Sequence, residues 1–101
     1  MIQLGRFQRT DDGYAGAIRT LVLNAEVRIS AVARSNDKAP DHRVFVGDLE
    51  CGAAWSMVDD RGGGLLNVKL DDPALHEPIY ARLIQAQDEA FLLLWTRRAD
   101  Y

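Results

Sequence analysis

Few side chains in this sequence are equipped for acid–base or nucleophilic chemistry. It has two histidines, His42 and His76, and one cysteine, Cys51. A serine or cysteine nucleophile needs a base beside it, and the base needs a carboxylate to orient it. Ser56 or Cys51 would have to meet a histidine in space, yet both histidines fall in or beside expected connections, where a solvated imidazole is the ordinary reading. Asp71-Asp72 is the strongest carboxylate pair, suited in principle to a hard cation or to polarising a water. Adjacent strand residues point to opposite faces, however, and Asp72 before Pro73 has a structural duty as the cap of a turn. Asp11-Asp12 and Asp59-Asp60 lack the ligand spacing of a calcium loop. Gly62-Gly63-Gly64 has neither the lysine nor the helix start of a phosphate loop and reads as a hairpin. No catalytic residue, cofactor or metal site is assigned. Cys51 can form no intramolecular disulfide and, among apolar neighbours, reads as a small buried hydrophobe.

Binding chemistry has more to work with. Arg6, Arg19, Arg28, Arg43, Lys69 and Arg82 lie within expected strands and outnumber the acidic residues there, although the chain carries a net charge of −3. A basic sheet surface ringed by acidic turns suits an anionic partner, either single-stranded nucleic acid or an acidic protein segment. The competing reading is a solvated face laced with ion pairs, which the acidic net charge and the lack of a basic tail favour. Aromatic platforms for bases are available in Phe7, Tyr14, Phe45, Trp55, Tyr80 and Trp95. Most are needed as core, Trp55 and Trp95 above all, while Tyr14 and Tyr80 have mixed neighbours and read as surface contacts.

These residues must be positioned by strands. Apolar and polar residues alternate with period two through most of the chain, and no dozen residues keep the spacing of a long amphipathic helix. The expected strands are 2–8, 14–21, 25–33, 43–46, 49–57, 65–70, 79–85 and 90–96. Asp11-Asp12-Gly13, residues 59–64 and Gln87-Asp88-Glu89 supply hairpin turns. Residues 35–41 and 71–78 form longer, proline-containing connections, and Pro73 to Glu77 allows at most one short helical turn. The last strand is apolar on both faces and ends at Arg97-Arg98, which suits a central place in the sheet. The reading is a single all-β domain over residues 1–101, an antiparallel sandwich or partly closed barrel of seven or eight short strands. At 48% hydrophobic and 27% charged residues the chain has the composition of a folded domain. No apolar run approaches the roughly 20 residues of a membrane span. The N-terminus does not read as a secretory signal, and a cytoplasmic location without membrane attachment is expected. Oligomeric state is open.

Three blocks run in order along the chain: Lys38-Ala39-Pro40-Asp41-His42-Arg43, Gly52-Ala53-Ala54-Trp55 and Val68-Lys69-Leu70-Asp71-Asp72-Pro73. With Gly16-Ala17-Ile18-Arg19-Thr20-Leu21, Pro78-Ile79-Tyr80-Ala81 and Leu94-Trp95-Thr96-Arg97, they resemble the family known as domain of unknown function 736 nearly from end to end. His42 and the triple-glycine turn depart from the family pattern without disturbing the match. The resemblance implies a small cytoplasmic proteobacterial protein, often encoded on plasmids or integrated conjugative elements, and no established activity. It marks Lys38, Asp41, Arg43, Lys69, Asp71 and Asp72 as motif residues with either binding or turn duties, to which the basic strands add Arg82. The expected function is a non-enzymatic binding module, an accessory of mobile elements that contacts nucleic acid or a protein partner. The alternatives are a small enzyme or metal-binding protein with a site near Lys69, Asp71 and His42, and a self-associating structural protein. A shared exposed face for the basic residues, a pocket joining His42 to the carboxylates, or an exposed apolar edge would separate the three.

Overall fold

The period-two pattern is realised as eight strands in a computed structural model that describes residues 2–96. They are β1 (Ile2–Thr10), β2 (Gly13–Arg19), β3 (Asn24–Ala31), β4 (His42–Val46), β5 (Leu49–Val58), β6 (Gly64–Leu70), β7 (Ile79–Gln85) and β8 (Phe91–Trp95). Each pairs antiparallel with the next, and β8 returns to pair with β1, so the sheet closes into a barrel. Closure leaves no sheet edge, which settles the choice between sandwich and barrel. All eight expected strands are present, with ends shifted by at most two residues. Arg97 and Arg98, expected to end the last strand, lie outside the described residues. No helix among the described residues is long and apolar enough to cross a membrane.

Eight strands enclose a space just wide enough for side chains to fill. Phe7, Ile29, Val44, Val68, Leu83 and Leu93 are the largest fully buried side chains and fill its middle. The sheet needs a sharp bend to close, and β1 supplies it through a register shift between Gln3 and Gly5 on its β8 side. On its other side Phe7 stands opposite Gly16, and its ring covers the glycine. A Cβ at Gly16 would lie 2.2 Å from the carbonyl oxygen of Arg6 and 2.7 Å from Cγ of Phe7, so no larger residue fits without moving backbone.

Several aromatic side chains lie where alternation alone did not put them. Tyr14, expected as a surface contact, is buried, because it shares the inward parity of Gly16 and Ile18. Its ring meets Phe91 edge-on at 4.9 Å, and the Arg9 guanidinium covers both rings and donates to the Tyr14 hydroxyl at 3.2 Å. Trp55, expected in the core, faces outward and is half-buried, since fully buried Ala54 takes the inward place beside it. The Trp55 indole N–H donates to the carbonyl of Lys38 at 3.0 Å, which satisfies a polar group that the core would leave unpaired. Trp95 shares the inward parity of Phe91 and Leu93 and packs half-buried against the core. Cys51 is half-buried rather than enclosed.

The 73–77 segment forms no helix. Asp72 shapes it as a capped turn, its Oδ2 accepting from the Ala74 amide and its carbonyl from the Leu75 amide, both at 2.8 Å. The one short helix among the described residues is a 3-10 turn, Gln87–Glu89, in the connection read from sequence as a plain hairpin loop. There the Ala86 amide donates to the Ala90 carbonyl at 2.8 Å, and Asp88 and Glu89 take φ of 70° and 62° to make the closure.

Three substitutions test this packing. Leu93→Ala removes a fully buried side chain and is expected to lower unfolding free energy by ~2–5 kcal/mol, whereas Leu94→Ala, on the outer face, is expected to lose less than half as much. Gly16→Val is expected to destabilise at least as strongly as Leu93→Ala, because β1 and β2 must separate to admit it. Urea denaturation followed by circular dichroism measures all three, and equal losses at Leu93 and Leu94 would reverse the assignment of faces.

Candidate nucleic-acid interface

Residues paired across antiparallel strands share a face, so the register fixes which outward side chains meet. One outward row runs Trp55, Asn67, Arg82 and Leu94 across β5 to β8. The next holds Met57, Leu65, Ile84 and Leu92. A third runs Arg43, Ala53, Lys69 and Tyr80 from β4 to β7. Most of these residues line a shallow depression of about 840 Å³ on the barrel wall, with Trp55, Met57, Leu65, Ile84 and Leu94 as its apolar ground and Asn67, Lys69, Tyr80, Arg82, Thr96 and the acidic Asp59 as its polar groups.

Ala53 is small, so Arg43 and Lys69 look across it at each other's strands, roughly 10 Å apart by strand spacing. Lys69 and Arg82 are diagonal neighbours about 7–8 Å apart. Among the described residues, neither has a carboxylate within ion-pair distance. Arg43 is engaged by Glu50 at 3.4 Å. Arg28 also faces outward, but it lies over the Phe45 ring at 4.7 Å and donates to the Ser30 hydroxyl at 2.7 Å. Of these four outward cations, the two without a partner among the described residues are thus the two flanked by Tyr80 and Trp55. Tyr80 is 59% exposed and lies directly opposite Lys69.

The depression is bordered by the β3–β4 connection, which Asp41 fastens to β5. The Asp41 carboxylate accepts from the Ser56 amide and meets Nδ1 of His42, both at 3.0 Å, and lies 3.7 Å from the Arg34 guanidinium. Its amide donates to the carbonyl of Ala54 at 3.1 Å. Partial burial alone would raise the Asp41 pKa, but hydrogen bonds with His42 and Ser56 and the charge on His42 together hold it below the ordinary aspartate value. The same fastening brings Lys38 against Trp55. Lys38 is exposed, and its carbonyl receives the indole N–H.

Of the residues singled out from sequence, Arg43, Lys69 and Arg82 share the outer wall, with Lys38 at its border. Asp41 is the fastener of that border rather than part of the wall. Asp71 and Asp72 are elsewhere, on the connection after β6, where the Asp71 amide donates to the Cys51 carbonyl at 2.8 Å. Lys69, Asp71 and His42 do not converge: Lys69 faces outward, while His42 packs toward Tyr14 at 6.1 Å between ring centroids. His76 is exposed on the same connection as Asp71. No group of three or more potential metal ligands assembles among the described residues. Sequence reading missed Asn67 and placed Trp55 inside; only the cross-strand register reveals both, because each lies beside residues far away along the chain.

The fastening is testable through pH. A carboxylate whose pKa is lowered by folding adds stability above its unfolded value of 3.8, and that addition disappears as pH falls through the lower folded value. Asp41→Asn is therefore expected to melt below the wild type at pH 7, by the equivalent of ~0.5–1 kcal/mol, and to converge with it as pH drops below 3.8. Parallel melting curves at all pH values would remove the charge of Asp41 from this role.

Comparison with curated proteins and with solved structures finds no match to this chain. Comparison with protein families finds one, the family described as protein of unknown function (DUF736), over residues 3–98. The match takes in every strand of the barrel but for the first residue of β1, and all of the outer wall just described. The chain therefore belongs to the DUF736 family.

Proposed function

We propose that this protein is a non-enzymatic binding module whose β5–β8 wall takes single-stranded nucleic acid. The observation that carries the reading is the pairing of two uncommitted cations, Lys69 and Arg82, with two outward aromatic rings, Trp55 and Tyr80, in one open depression. Cations meet phosphates, and flat rings stack on bases without regard to sequence. Asn67 between them offers both a donor and an acceptor to a base edge. An acidic protein segment would use the cations but would leave the two rings and the apolar ground without a role.

A cytoplasmic setting agrees with this reading. Outward Arg28, Arg43, Lys69 and Arg82 belt the barrel, and a basic residue on the lipid face of a membrane barrel costs about 2–4 kcal/mol at mid-bilayer. The proposed place of the protein is as an accessory to mobile genetic elements, where single strands are exposed during transfer.

Fluorescence anisotropy with labelled oligo-dT of twelve nucleotides tests the proposal. With Lys38, Arg43, Lys69 and Arg82 as contacts, log K is expected to fall against log salt concentration with a slope of about −2 to −3. Lys69→Glu and Arg82→Glu should each weaken binding and flatten that slope, while Tyr80→Ala should cost ~1–3 kcal/mol of binding with little change in slope. Binding indifferent to salt and to all three substitutions would defeat the proposal. Salt-sensitive binding of oligoglutamate with none of oligo-dT would move it to an acidic protein segment.

A further inference from the structure

A second site lies at the end of the barrel where β2 and β3, β4 and β5, and β6 and β7 are joined. Strand parity brings Ile18, Ala25, Val27, Val46 and Leu70 toward the interior there, but none is large enough to close it. The 71–78 connection folds across the opening and contributes Leu75, and a turn at Thr20 contributes Leu23, its amide donating to the Thr20 hydroxyl at 3.0 Å. What remains is a cavity of about 200 Å³ whose walls are almost wholly apolar. A dry apolar cavity of roughly 150 Å³ holds a benzene ring. This one has room for a ring and about two further carbons.

The mouth of the cavity has a different character. Asp71 and Asp72 line it. The Asp72 carboxylate is committed to the Ala74 amide. Asp71 is exposed, and its carboxylate has no hydrogen-bond or ion-pair partner among the described residues. Cys51 lies in the wall, and burial, together with the charges of Asp72 and Glu50, pushes its thiol pKa up, which keeps it an uncharged part of that wall. An apolar chamber under a free carboxylate is complementary to a molecule with an apolar body and a cationic end.

We infer that this end of the barrel binds a small arylalkyl or alkyl amine, its body in the cavity between Val46, Cys51, Leu70 and Leu75 and its ammonium at Asp71. The site is separate from the β5–β8 wall, so either can fail without the other. Asp71 and Asp72 then acquire a division of labour: Asp72 shapes the connection and Asp71 reads the ligand's charge.

Three probes that share a phenylethyl body test the assignment at pH 7, with amide chemical shifts followed by NMR: 2-phenylethylamine, 2-phenylethanol and 3-phenylpropionate. The amine is expected to bind most tightly, the alcohol more weakly and the acid least, with the largest shifts at Val46, Cys51 and Leu75. Asp71→Asn should weaken the amine by roughly twofold to fivefold, the range of an exposed ion pair, and leave the alcohol unchanged. Cys51→Phe fills the cavity and should abolish binding of all three. Should that variant fail to fold, Ala74→Trp, at an exposed position on the mouth, blocks access with the core intact. Equal affinity for the three probes, no binding of any, or amine binding that survives both the filled cavity and the blocked mouth would overturn the inference.

Discussion

The fold depends on β1 finding two partners. A strand of nine residues must present one edge to β2 and the other to β8 while the sheet bends through a full circle. The bulge at Gln3–Gly5 supplies the bend, and Phe7, buried against Gly16, fills the space that the bend would leave empty. Every other pairing joins neighbours in sequence through a short or moderate connection, so each is local. Only the pairing of β1 with β8 spans the whole chain. Its loop-closure entropy is met by side chains that both strands bury together, Phe7 with Phe91 and Leu93.

Closure divides the side chains into an interior and a wall, and the division has functional consequences. A small barrel can enclose few large side chains, so much of the apolar content of β5 to β8 is turned outward. Leu65, Ile84, Leu92 and Leu94 are held half-buried by their cross-strand neighbours rather than by a second layer of structure. A wall of this kind is neither a polar solvated face nor a sheet edge. Its rings and aliphatic groups are exposed in a pattern fixed by rigid backbone pairing, so ligand contacts there require little ordering on binding.

Much of the architecture was legible in the sequence because strand alternation and turn residues are local signals. Asp11-Asp12-Gly13 and the triple-glycine turn mark hairpins that form, and β7 is recovered to the residue. What alternation cannot reveal is which parity faces inward when both are apolar. Ala53-Ala54-Trp55 reads equally well either way, and register places Ala54 in one buried inward row with its cross-strand neighbours Val68 and Ala81. Tyr14 was misplaced for the converse reason: its neighbours are small, and nothing local announces that Phe91 and Arg9 will close over it. The basic face was legible as a composition of strands, but its membership depended on register. Arg28 and Arg43 have partners that only pairing brings within reach.

Register also reconciles an acidic chain with a basic wall. The carboxylates are concentrated at the barrel's ends and many are committed to turns: Asp59 accepts from the amides of Arg61 and Gly63 at 2.9 and 2.7 Å, and Asp72 from that of Ala74 at 2.8 Å. Arg82 sits in the middle of β7, whereas Lys69 is one residue from the end of β6. A strand of seven residues is about 23 Å long at 3.3 Å per residue, so the middle of β7 lies farther from its end turns than the roughly 8 Å over which charges are felt in physiological salt. A partner on the wall therefore meets Arg82 as a local charge, with much of the acidic excess screened from it, while Lys69, about 7 Å along the chain from Asp71, acts nearer to that carboxylate. Net charge governs how the whole molecule behaves at long range, and strand register governs what a bound ligand encounters at contact distance.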